Sequence, residues 1–124
     1  MSMQQTRIAQ IELIDDTFFY IRYNKNVIVT REEATVLTQV LMEMKSEDCP
    51  RIYHYTPTMS FDFDAIRELS ASTGSNAIAV VYDHTISTDI LETLKECFMA
   101  LDFKSPISYF ESREKAIEWI KSYC

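Results

Sequence analysis

The chain has 124 residues, 47% hydrophobic and 25% charged, with a single glycine and a net charge of −7. That is the make-up of one globular domain able to bury its own core, and one glycine excludes Rossmann and Walker-type phosphate loops, which need about three and about two. The acidic balance opposes phosphate backbones and anionic membrane surfaces, so no nucleic acid is expected as a partner and the charge serves solubility.

Met1 to Arg7 is polar and lacks the apolar centre of a signal peptide. Ile8 to Ile14 alternates in a period of two and reads as a strand. Asp15, Asp16 and Thr17 are turn formers. Phe18 to Tyr23 is a second strand, so the pair predicts an antiparallel hairpin. Asn24, Lys25 and Asn26 break it, and Val27 to Val29 either extends the strand or forms a short piece of its own. Thr30 and Glu33 have the spacing of a capping box. They open a helix whose apolar stripe is Ala34, Leu37, Leu41 and Met44, widened by Val36 and Val40 and ending near Lys45.

Arg51 to Thr56 is a strand stopped by Pro57. Phe63, Ile66 and Leu69 suggest a short helix with Ser60 or Asp62 as N-cap, and Thr73 to Asn76 is a loop in which Gly74 ends that helix. Ala77 to Tyr82 is almost wholly apolar, as expected of a central parallel strand. Ile90, Leu91, Leu94, Cys97, Phe98 and Leu101 form a long helical stripe. Ile107 to Phe110 is a last strand, and Ser112 caps a final helix containing Ala116, Ile117, Trp119 and Ile120. The order β-β-α-β-α-β-α-β-α predicts an α/β domain over residues 1–124, with a mostly parallel five-stranded sheet entered by an antiparallel hairpin.

Cys49, Cys97 and Cys124 are far apart and odd in number, without a Cys-x-x-Cys pair. They predict neither a disulfide framework nor structural zinc, and they suit a reducing, cytoplasmic setting. No apolar run approaches a membrane span. No cofactor is expected.

Ligands of parallel sheets gather beyond the carboxyl ends of the strands. Two connections lie there. Thr58, Ser60, Phe61, Asp62 and Asp64 belong to the first, and Tyr82, Asp83, His84 and Ser87 border the second. Hydroxyls and carboxylates also cap helices, which explains the same residues structurally. Asp83 and His84 could form an acid–base pair, but sequence neighbours seldom face each other, and no Gly-x-Ser-x-Gly elbow supplies a nucleophile. His54, between Tyr53 and Tyr55, reads as a core or interface histidine. No ligand spacing demands a metal, and enzymatic activity is not expected.

Three stretches carry a family resemblance. They are the hairpin with its capped helix (Phe18 to Lys45), the apolar strand with the long helix (Ala77 to Phe103), and the ending Pro106-Ile107-Ser108-Tyr109-Phe110 through Ala116-Ile117-Glu118-Trp119. Together they resemble the STAS domain of the SpoIIAA-like anti-sigma-factor antagonists, and more specifically small stand-alone proteins of the STAS/SEC14 type. The resemblance implies a regulatory protein–protein interaction module, with a kinase or sigma-factor regulator as partner. It implies a partner face at Thr58, Ser60, Phe61, Asp62 and Asp64. In those antagonists a serine in an Asp-Ser-Ser-Gly motif is phosphorylated. Here Asp64 and Ala65 stand at the serine positions and Ile66 at the glycine, so the switch serine is missing. The SEC14 side of the resemblance implies instead a small-molecule or lipid ligand at the edge formed by Tyr82, Asp83, His84 and Ser87. A homodimer through the hairpin edge, Ile8 to Tyr23, is a further expectation.

Overall fold

The computed structural model describes residues 2–45, 49–62, 64–65, 77–83, 92, 95–96 and 106–124. In chain order these residues form β1 (Ser2–Gln5), β2 (Ala9–Ile14), β3 (Phe18–Tyr23), β4 (Ile28–Val29), α1 (Arg31–Met44), β5 (Arg51–His54), β6 (Ser60–Phe61), β7 (Ile78–Val81), β8 (Ile107–Phe110) and α2 (Arg113–Lys121). The main sheet has the order β1-β2-β3-β5-β7-β8. Its first two pairings are antiparallel and the rest are parallel.

The sheet has six strands rather than five. The extra one is β1, which pairs with β2 from Ser2↔Leu13 to Gln5↔Gln10. Its sequence, Ser-Met-Gln-Gln, has no apolar alternation to announce it, because an edge strand is held by its neighbour's backbone. The β2 edge of the hairpin is therefore occupied and not open for self-pairing. A second correction concerns Ser60. It caps no helix but lies in β6, which pairs in parallel with β4 as a separate two-stranded sheet. Val27 to Val29 thus contributes a piece of its own. Asp62 does precede helical backbone at Asp64 and Ala65, and the Ala65 N–H donates to its carbonyl. The Cys97 helix and the Gly74 loop lie outside the described residues.

Local chemistry explains the joints. Asp15 and Asp16 take positive φ of 52° and 57° in the β2–β3 turn, a conformation that aspartate tolerates. The Thr30 side chain caps α1 by accepting from the Glu33 N–H at 3.4 Å. The Glu33 carboxylate reaches Arg7 at 3.5 Å, so that interaction takes up the second half of the expected box. Ala34, Leu37 and Leu41 of α1 are buried, whereas Val36 is exposed and adds nothing to the stripe.

Alternate residues of each strand serve opposite faces. Ile11, Phe19, Ile21, Tyr53 and Val80 pack with α1. Phe18, Ile52, Ala79 and Val81 pack with Ala116 and Ile120 of α2. The parallel strands advance steadily in one direction, and right-handed crossovers then favour a single face. The crossover helix α1 lies on that face. The opposite face receives α2, which follows the last strand and packs over β5, β7 and β8. Beyond α2, toward β1 to β3, Gln10 and Arg22 are exposed.

Candidate functional site

The uncovered part of the second face carries an open pocket of about 260 Å³ lined by Met3, Gln10, Ile11, Glu12, Tyr20, Arg22, His54 and Arg113. Strand register builds it. Gln10 pairs with Arg22, and Arg22 with His54, which makes one row across three strands. Met3 pairs with Glu12, and Glu12 with Tyr20, which makes the adjacent row. Two residues along a strand separate the rows by roughly 7 Å. Arg113 enters from the start of α2, where the Ser112 side chain caps the helix by accepting from the Lys115 N–H at 3.4 Å.

Tyr20 is the centre of the polar network. Its hydroxyl lies 2.5 Å from His54 Nδ1, and the two rings meet edge to face at 5.8 Å. The Arg113 guanidinium lies over the Tyr20 ring at 4.8 Å from its centroid, the geometry of a cation–π contact. Burial pushes the Tyr20 pKa up, with Arg113 opposing by charge and by hydrogen bonding, so Tyr20 stays a neutral phenol. Burial, and then the positive charges of Arg22 and Arg113, push the His54 pKa down against the weaker pull of Asp83. His54 is thus an uncharged imidazole near neutral pH. With the Tyr20 O–H donating to Nδ1, the imidazole proton sits on Nε2 and makes that nitrogen a donor.

Among the described residues the ion pairs are Arg7–Glu33, Lys45–Asp16 and Lys95–Glu92. Arg22 and Arg113 belong to none of them. Among the described residues no group of three metal-ligating side chains forms, and those that line the pocket include no serine, threonine or cysteine. The described lining offers guanidinium and carboxylate charge together with amide, imidazole and phenol hydrogen-bonding groups.

The residues expected to form a partner face come together elsewhere, on the short β4–β6 sheet and its flanks. Thr58 is exposed and accepts from the Asn26 N–H at 3.0 Å. Ser60 and Asp62 are exposed, and the Asp62 N–H donates to Val29. Asp64 is exposed as well. Phe61 is half-buried against Tyr23 and Tyr55, at ring distances of 5.6 and 5.0 Å, and serves chiefly as a core anchor. Beside Ser60 stands Ile28, 63% exposed and absent from the expected set.

Of the expected ligand edge, Tyr82 is half-buried against the core and Asp83 is exposed, while His84 and Ser87 lie outside the described residues. Asp83 bears on the pocket through its charge on His54. His54 is not a core residue, since it lines the pocket. Sequence reasoning missed Tyr20, Arg22 and Arg113. The period-two spacing of Tyr20 and Arg22 put them on one face of a strand, but which strand would bring His54 beside them was not legible.

No helix among the described residues is long and apolar enough to cross a membrane. No curated protein matches the chain. The crystal structure of a DUF3478-family protein from Shewanella loihica PV-4, described as having a SpoIIAA-like fold, is similar over 96% of this chain and 99% of that one. The TM-score is 0.61 and the sequence identity 14%. The likeness establishes a SpoIIAA-like fold. A family model described as "Domain of unknown function (DUF7793)" matches residues 12–124, and the chain belongs to that family.

Proposed function

We propose that this domain is a non-enzymatic regulatory module that binds a protein partner through the β4–β6 sheet. The observation that carries this reading is Ile28, 63% exposed and paired with exposed Ser60 beside exposed Asp62. An exposed aliphatic residue bordered by hydroxyl and carboxylate groups fits the apolar centre and polar rim of an interface. The resemblance to anti-sigma-factor antagonists favours the same end of the fold and suggests a kinase or sigma-factor regulator as partner, in the cytoplasm. The partner's complementary patch would be basic with an apolar centre. With Asp64 and Ala65 in the serine positions, the module would work without the phosphorylation switch of those antagonists.

The test uses exposed residues, because Phe61 supports the core. Tagged wild-type protein, Ile28→Glu and Asp62→Lys are incubated with lysate of the source organism, and captured proteins are quantified by mass spectrometry. The expected outcome is a captured protein whose yield falls about tenfold in either variant, as for a substitution at a hot spot, while thermal unfolding is unchanged. Equal capture by all three proteins, or none by wild type, overturns the reading.

A further inference from the structure

We infer that the open pocket bounded by Arg22, His54, Arg113 and Glu12 is a binding site for a small organic oxyanion, a carboxylate or phosphate, that carries a hydroxyl or amino donor. The site is separate from the β4–β6 face and does not depend on the partner reading.

Three observations converge on an anion. Arg22 and Arg113 reach the pocket from different elements, a central strand and the start of a helix, and neither is in an ion pair with a carboxylate among the described residues. Guanidinium forks match the planar or tetrahedral oxygens of carboxylate and phosphate. Arg113 also breaks a local rule. A cation in the first turn of a helix opposes the macrodipole, where an acidic residue such as Glu114 is favoured. A residue that weakens its own helix and projects over Tyr20 into a pocket is accounted for by what the pocket holds. His54 adds a neutral donor. Its Nδ1 is engaged by the Tyr20 hydroxyl, which orients the ring and leaves Nε2 for a ligand oxygen.

Glu12 sets the second requirement. It lines the same pocket in the row next to the Arg22–His54 row. A bare oxyanion bound by the arginines would leave Glu12 facing a like charge. A ligand with a donor roughly 7 Å from its oxyanion, the spacing of adjacent rows, would satisfy both ends. A volume of about 260 Å³ accommodates a compact metabolite, and a lining of guanidinium, imidazole, amide and carboxylate groups suits a polar ligand rather than an acyl chain.

The probes are inorganic phosphate, acetate, glycerol 3-phosphate and 4-hydroxybutyrate, titrated into the full chain while the His54 imidazole resonances are followed by NMR. The expected result is saturable shifts of His54, with the hydroxylated ligand of a pair binding more tightly than its bare anion. Preference within the phosphate or the carboxylate pair identifies which oxyanion the site takes. Arg22→Gln and Arg113→Gln are each expected to weaken binding about tenfold or more, the scale of losing one charge-assisted contact, with the fold retained because both residues are exposed. Glu12→Gln is expected to remove the preference for the hydroxylated ligand. Absence of saturable His54 shifts with all four probes overturns the site. So does equal affinity in wild type and both arginine variants. An unchanged preference in Glu12→Gln overturns the assignment of the donor.

Discussion

His54 concentrates the local physics of this protein. Half-burial, Arg22 and Arg113 all disfavour its charged form, and the Tyr20 hydroxyl holds one ring nitrogen. Its folded pKa lies below the ordinary 6.5, so the unfolded chain takes up a proton first as pH falls. The stability that His54 permits is fully present above 6.5 and is lost as pH falls from there through the lower folded value. Unfolding midpoints measured from pH 7.5 down to about 5.5, a range above the ordinary titration of carboxylates, are expected to fall more steeply for wild type than for His54→Gln. Parallel curves would contradict the assignment. Tyr23 and Tyr55, fully buried among aromatic rings, have pKa values well above 10 and take no part in this dependence.

Among the elements, β1 has the largest effect relative to its legibility. Four residues, three of them polar, cover the β2 edge through pairing from Ser2↔Leu13 to Gln5↔Gln10. An uncovered edge beside the apolar alternation of β2 is a template for another chain. Deletion of residues 1–5 is therefore expected to increase concentration-dependent self-association relative to the full chain, as read by sedimentation velocity. Identical sedimentation of the two proteins would show that β1 does not protect the edge. The helices were far more legible. Thr30 and Ser112 cap α1 and α2, each accepting from the N–H three residues on. Capping is a local interaction of a few adjacent residues, so it can be read without the rest of the chain.

At the scale of the whole molecule, one sheet separates two cores. Ile21 is 0% exposed on the α1 face, while its strand neighbour Tyr20 belongs to the α2 face. Ile21→Ala should cost about 2–5 kcal/mol, the scale of a large-to-small core substitution, out of a total stability on the order of 5–15 kcal/mol. Chemical denaturation would measure it, and a loss below about 1 kcal/mol would mean that the α1 face is more loosely packed than the burial of its residues implies. The same division makes the pocket. The second face receives α2 over β5, β7 and β8, and strand residues beyond the helix line an open recess instead of a core.

The hairpin, the Thr30 and Ser112 caps and the apolar β7 were determined by the sequence alone, because period and capping act over a few residues. So was the SpoIIAA-like fold, through the order of those elements. Tertiary structure decided the rest. β1 exists because β2 offers a backbone ladder, which no side-chain pattern in Ser2 to Gln5 encodes. β4 and β6 pair although about thirty residues apart in the chain, with Ser60 N–H bonded to the Val27 carbonyl. Arg22, His54 and Arg113 meet only because β3 and β5 share a parallel register and α2 returns across the sheet. A recognition site assembled from residues on three distant elements is set by long-range pairing, and that pairing becomes visible only when the sheet is formed.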